Sequence, residues 1–162
     1  MPTVPPWNVD IVLCHLVGTP LQPLDQSSLW LLTQKTPFLL ALATAKRVGE
    51  IRALSTLVVV QDHDMVLFYL AEFVVKTEIP SDPLPREFVL TSLSEAVCSN
   101  DDEWPLCPVR ALRWYLHRAQ SPSRPRYLFL SVRDPTHPLS KTAISYFLQQ
   151  LIRAAHQDFS II

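Results

Sequence analysis

The stretch LALATAKRVGEIRALS, Leu40–Ser55, contains the sharpest change of pattern in this chain. An apolar run gives way to the pair Lys46 and Arg47, and Glu50 follows the arginine by three residues. Residues three apart share one face of a helix. The stretch therefore predicts a buried helix before the pair, a break near Ala45, and a helical continuation from Arg47 to Leu54.

Apolar residues at helical spacing predict further helices on both sides of this stretch. The predicted helices are Asp10–Val17, a segment starting at Leu29 and running through Ala45, Cys107–Gln120, and Lys141 to about Ala155. Their expected N-caps are Asn8 or Asp10, Ser27 or Ser28, and Ser140. Pro37 either begins a new helix or kinks one long helix, and both readings remain open.

Three short runs rich in β-branched and aromatic residues follow the stretch, at Leu57–Val60, Met65–Leu70 and Glu87–Leu90. Because they are adjacent in the sequence, they predict a small antiparallel sheet that packs against the helices. The expected fold class is α+β, mainly α-helical with a three-stranded antiparallel sheet.

Composition excludes several classes of protein. The chain has 162 residues, of which 48% are apolar and 18% are charged, as in an ordinary globular core. No run of 18 apolar residues occurs, and the first residues lack the pattern of a secretory signal, so neither a membrane span nor export is expected. Cys14, Cys98 and Cys107 are widely spaced, which favours reduced thiols of an intracellular protein over a metal site.

The charge is unevenly distributed, although the net charge is only −1. Between Pro105 and Ala155 there are eight lysines and arginines but only one acidic residue, Asp134, which amounts to about +7. Such a segment is either a phosphate-binding surface or the solvated face of helices, and charge alone does not decide between them.

Arg47 and Glu50 also admit two interpretations. The pair is either an ordinary surface ion pair of small energetic value or a half-buried arginine held by the carboxylate. Because Arg47 follows an apolar run, we expect its stem to enter the core. Glu50 would then leave part of the guanidinium available for a phosphate group.

ATAKRVGEIRALS (43–55) resembles the first arginine box of the tyrosine recombinases, the phage-integrase family, in which Glu and Leu or Ile follow the arginine. The chain as a whole resembles the recombinases of DIRS-type retrotransposons. Four segments carry that resemblance in the same order: VPPWNVDIVLCHLVGTPLQPL (4–24), FLLALATAKRVGEIRALS (38–55), CPVRALRWYLHRAQ (107–120) and PLSKTAISYFLQQLIRAAH (138–156). It implies an N-terminal helix and linker in residues 1–26 and a partial catalytic domain in residues 27–162.

The resemblance also implies DNA strand transfer without a metal or other cofactor. In that family arginines, a histidine-type residue and a hairpin lysine surround the scissile phosphate, and a tyrosine attacks it. Arg47 matches the first arginine and Glu50 the carboxylate that orients the box. Lys76 lies between the second and third predicted strands and is the candidate for the lysine, although it could be an ordinary solvated residue and Arg86 lies nearby.

The second family box, His-x-x-Arg, is missing from this sequence, because none of the five histidines has an arginine three residues later. All four tyrosines precede the place where that box would fall, and Tyr146 is expected to pack within an apolar helix. The resemblance thus predicts a truncated domain that does not cleave DNA alone. It also predicts that the apolar faces of Phe38–Ala45 and Ile144–Ile152 lack part of their cover.

Three functions remain open: DNA recombination and integration, a non-catalytic module that binds DNA or other subunits, and an inactive transposon relic. The predicted partner is duplex DNA, with self-association as a further prediction and a nuclear or intracellular location. The candidate phosphate contacts are Lys46, Arg113, Arg118 and Lys141. Lys141 stands at a helix start beside the Ser140 cap, where backbone N–H groups also favour an anion.

Overall fold

The computed structural model describes residues 8–17, 28–61, 63–70, 87–92, 106–121 and 124–161, which form five helices and a three-stranded antiparallel sheet. The helices are α1 (Val9–Leu16), α2 (Leu29–Thr44), α3 (Val48–Arg52), α4 (Pro108–Arg118) and α5 (Lys141–Ile161). The strands are β1 (Leu54–Gln61), β2 (Asp64–Tyr69) and β3 (Glu87–Leu90). The predicted α+β class, mainly helical with a small antiparallel sheet, is confirmed.

Side-chain caps define the beginnings of three helices. Asn8 precedes α1, Ser28 precedes α2 and Ser140 precedes α5, and each side chain accepts a hydrogen bond from a backbone N–H two or three residues later, at 2.8, 3.2 and 3.1 Å. Each bond satisfies one of the N–H groups that a helix start leaves without an intrahelical partner. Of the alternative caps that the sequence allows, Asn8 and Ser28 are therefore the ones used.

Helix α2 is one continuous helix that contains Pro37. It ends at Ala45, which has φ 56° and ψ 26°, and the N–H of Ala45 donates to the Ala41 carbonyl at 2.9 Å. A left-handed conformation costs a residue with a Cβ about 1–2 kcal/mol, and glycine usually occupies such a position. The reversal at Ala45 takes the chain out of the helix just before Lys46 and Arg47.

The sheet has the order β1–β2–β3, and Val59, Val66 and Val89 lie opposite one another across the three strands. The face with Met65, Leu67 and Leu90 is buried against the helices. On the opposite face Val66 is covered by its neighbours, whereas Leu57, Val59 and Val89 are 60%, 41% and 56% exposed. One face of the sheet thus belongs to the core and the other presents apolar side chains to solvent.

The core joins the buried face of the sheet to α2, α4 and α5, and α1 packs against α5. The two apolar helix faces that the sequence predicts to lack part of their cover are only partly buried. Phe38, Leu40, Ile144 and Leu151 are buried, whereas Leu42 is 47% exposed. The expected packing of Tyr146 within its helix is wrong, because this ring lies on the outer side of α5 and is 53% exposed. The helices of the described ranges include none with the length and apolarity needed to cross a membrane.

Candidate nucleic-acid interface

Arg47 is the residue immediately before α3, in an extended conformation with φ −78° and ψ 160°. A Glu50 carboxylate oxygen accepts a hydrogen bond from the Arg47 backbone N–H at 2.8 Å. This contact is the carboxylate half of a capping box. The two side chains therefore do not form the predicted ion pair on one helical face, since Arg47 precedes the helix.

The expectation that the Arg47 stem enters the core is also wrong. Its side chain is exposed, because the left-handed turn at Ala45 ends α2 before the arginine. Within the ranges that the structure describes, the guanidinium makes no ion pair. Because the Arg47 side chain is exposed and the Glu50 carboxylate accepts from the backbone, the guanidinium is accessible to an anionic ligand.

Lys141 reaches the same turn from the other end of the chain. It is the first residue of α5, and its side chain lies over Gly49 in α3. A methyl group built on Gly49 would stand 3.5 Å from Cδ and 3.7 Å from Nζ of Lys141. The packing of α5 beside α3 thus brings a second cation next to the turn that begins at Arg47.

Lys46 occupies the other side of the turn, above two aromatic rings. Its Nζ lies 4.9 Å from the centre of the Phe88 ring and 5.9 Å from that of Tyr69, within the range of a cation–π interaction. The two ring centres are 5.8 Å apart. Burial, followed by the negative charge of Glu50, raises the pKa of Tyr69 to about 12. Tyr69 is therefore neutral under physiological conditions and supports Lys46 as a polar ring, not as an anion.

Lys46, Arg47, Glu50 and Lys141, which we call the Arg47 cluster, combine three cations with one carboxylate. The carboxylate is turned toward the backbone, and Arg47 and Lys141 are exposed. Such a surface attracts anions, and its spread over several side chains suits a chain of phosphates better than a single small ion.

The structure does not bring the other predicted contacts to this cluster. Arg113 lines a cavity with His63 and Ser92, at the end of the sheet where β1 turns into β2. The cluster lies near Tyr69, at the opposite end of β2, about 17 Å away at 3.3 Å per residue. Arg118 is exposed on the last turn of α4. Lys76, the candidate hairpin lysine, lies outside the described residues.

Sequence reasoning missed the contributions of Gly49, Tyr69 and Phe88 to this site. Tyr69 and Phe88 lie on the same face of β2 and β3 as the buried Leu67 and Leu90, two residues away in each strand. This periodicity predicts core residues and does not indicate that the two rings support a lysine. The space above Gly49 that the Lys141 side chain occupies is created by the packing of α5 against α3. No local sequence pattern predicts it.

No group of three or more His, Cys, Asp and Glu side chains in the described part of the chain could hold a metal ion. No family model, no curated protein and no solved structure matches this chain.

Proposed function

We propose that this chain binds the phosphate backbone of duplex DNA through the Arg47 cluster, as part of a domain of the tyrosine recombinase type. The observation that carries the proposal is the position of Lys141 over Gly49, next to Arg47. Two cations from distant parts of the sequence thus converge on one exposed turn. An isolated surface arginine, in contrast, would have no second cation placed beside it by another helix.

The two cations have complementary chemistry. The planar guanidinium of Arg47 can form two parallel hydrogen bonds to one phosphate, whereas the ammonium of Lys141 acts as a compact charge toward a neighbouring phosphate. Glu50 contributes by fixing the turn through the Arg47 N–H, at 2.8 Å. Lys46 is held on the Phe88 ring and adds a third positive charge beside them.

The proposal for this sequence is binding, without strand cleavage by these residues alone. In a strand transfer of the family type, Arg47 would stabilise the charge that develops on the phosphate oxygens. The reaction also requires a tyrosine nucleophile and a His-x-x-Arg box, and the sequence contains no such box. Contacts to the backbone alone make binding nearly independent of base sequence.

The test is retention of a labelled duplex by the purified chain as a function of salt, with Lys141→Glu and Arg153→Glu as a matched pair. Both residues are exposed on α5, and twelve residues of helix, about 18 Å, separate them. We expect Lys141→Glu to weaken binding about tenfold or more and to reduce the slope of log affinity against log salt by about 0.9. Arg153→Glu should change the slope much less.

Two results would refute the proposal. One is the absence of duplex retention by the unmodified chain even at about 50 mM salt, where backbone contacts are strongest. The other is an equal loss in the two variants, since this would show a response to net charge instead of a site at the Arg47 cluster.

A further inference from the structure

A cavity of about 240 Å³ lies at the end of the sheet remote from the Arg47 cluster. It opens where the β1–β2 turn and the end of β3 meet the first half of α4. The described residues that line it are His63, Ser92, Val109, Arg110, Arg113 and Trp114. A concave site with a few convergent polar groups is the usual form of a small-ligand site.

Positive charge dominates the described walls of this cavity. Arg110 and Arg113 stand one helical turn apart on α4, and His63 faces them from the β1–β2 turn. The described carboxylate beside them, Asp64, accepts a hydrogen bond from the Ser92 backbone N–H at 2.9 Å. A further basic residue, Lys35, lies buried close enough to Arg110 for their charges to repel, and this repulsion adds to burial in lowering the pKa of Lys35.

Trp114 supplies a flat apolar wall beside the arginines. Its indole also lines a neighbouring concavity with Arg113 and His117, and the His117 ring meets it edge to face at 6.0 Å between centres. A guanidinium next to a half-buried aromatic ring that lines a cavity is suited to a ligand that carries an anionic group and a planar ring.

We propose that this cavity binds a terminal phosphate attached to a nucleoside, with Arg113 on the phosphate, Arg110 adding positive charge to the wall, and Trp114 against the base. The volume is below the roughly 300–1,000 Å³ of sites that enclose drug-sized ligands, so it admits the phosphate and leaves the base at its mouth. A terminal phosphate monoester occurs on a free nucleotide and on a phosphorylated DNA end. The site is independent of the Arg47 cluster and gives Arg113 a different ligand from the duplex backbone.

The experiment follows the indole N–H signal of Trp114 by NMR, identified by its loss in Trp114→Phe. The probes are inorganic phosphate, deoxyadenosine, deoxyadenosine monophosphate, and one single-stranded oligonucleotide with and without a 5′ phosphate. We expect the monophosphate to shift the signal at a lower concentration than phosphate, and deoxyadenosine to leave it in place. Arg113→Gln should weaken the monophosphate at least tenfold, whereas Arg133→Gln, at another exposed arginine, should not.

The two sources of the ligand give different results, and both support the site. A shift by the monophosphate assigns it to free nucleotides, and a shift only by the phosphorylated oligonucleotide assigns it to DNA ends. No shift with any phosphate probe overturns the proposal, as does an equal loss in Arg113→Gln and Arg133→Gln. Because the readout is local to Trp114, it remains valid even if the unmodified chain does not retain the duplex.

Discussion

The two ends of the small sheet both gather positive charge, but in opposite environments. At the Tyr69 end, Arg47 and Lys141 are exposed on a turn. At the His63 end, Arg110 and Arg113 line a cavity, and Lys35 beside them is fully buried. Lysine is therefore a surface residue at one end, as Lys141, and an interior residue at the other, as Lys35.

The difference shows that the number of lysines and arginines in a segment does not give the number that can contact a ligand. The Lys35 ammonium donates to the Leu16 carbonyl at 3.0 Å, which ties α2 to the end of α1. Arg124, in the basic C-terminal segment, donates to the carbonyls of Ala119, Tyr127 and Leu128 at 2.9–3.1 Å and holds the chain after α4. Charges of this kind support the fold, and only exposed ones such as Lys141 can meet a large polyanion.

The largest effect that we predict concerns the buried end. Burial, followed by the charge of Arg110, lowers the pKa of Lys35 from 10.5 to about 7. Between these values the unfolded chain holds a proton that the folded chain has lost. The free energy of unfolding should therefore rise with pH from about 7 upward, by up to about 1.4 kcal/mol per pH unit from this group. Urea unfolding at a series of pH values up to about 9.5 measures the slope.

Lys35→Met keeps a long apolar stem and removes the titrating group, so the Lys35 contribution to the slope should disappear. Its absolute stability is not the readout, because the Leu16 carbonyl loses its donor, at a cost of about 1–3 kcal/mol. The range stops below pH 10 because burial raises the pKa values of Tyr69 and Tyr115, which makes stability fall again at higher pH. An unchanged slope in Lys35→Met would show that this lysine keeps its proton in the folded chain.

A smaller effect is expected at the exposed end from the Glu50 carboxylate. Glu50→Ala removes the acceptor of the Arg47 N–H and should lower stability by about 0.5–2 kcal/mol, the usual value of a capping contact. Glu50→Gln keeps an oxygen in that position and should lower stability less. Both variants should lower the pKa of Tyr69 from about 12, because each removes the nearby negative charge.

Thermal unfolding measures the stabilities, and the absorbance of the phenolate measures the tyrosine, with Tyr69→Phe to identify its signal. If the alanine and glutamine variants lose equal stability, the hydrogen bond contributes nothing and only the charge of Glu50 matters.

Much of the fold could be predicted from local patterns. The caps at Ser28 and Ser140 and the β-branched runs of the strands depend on neighbours in the sequence, so periodicity identifies them. The sequence predicts the break before Lys46 but not its geometry. It depends on a left-handed Ala45, and an alanine gives no warning of such a turn.

The candidate site was harder to predict because its contacts join distant segments. The sequence identifies Arg47 and Glu50 as a pair but predicts the wrong contact between them. Because Arg47 precedes the helix, Glu50 accepts from its backbone N–H and does not pair with its guanidinium. The approach of Lys141 to Gly49 arises from the packing of α5 against α3. The burial of Lys35 has one local signal, which is a lysine within a largely apolar helix. The burial itself results from tertiary packing of α2 against other parts of the chain.

The smallest effect on stability comes from Gly49, and it tests the exposed end most directly. A Cβ at this position would meet Lys141 only at ordinary contact distances of 3.5 and 3.7 Å. Gly49→Ala should therefore stabilise the chain by about 0.5 kcal/mol, through the helix preference of alanine, and leave duplex retention unchanged. Gly49→Ile adds a branched side chain that would displace Lys141, so duplex affinity should fall toward that of Lys141→Met.

Gly49→Ala and Gly49→Ile change an uncharged residue and remove no charged side chain. Any difference in duplex affinity between these two variants therefore depends on the position of Lys141. Equal affinities in Gly49→Ala and Gly49→Ile would mean that the position of Lys141 over Gly49 is irrelevant to binding, and the exposed end would lose the observation on which its proposed role depends. A lower affinity only in Gly49→Ile would show that an exposed cation, like a buried one, acts from a position set by its packing.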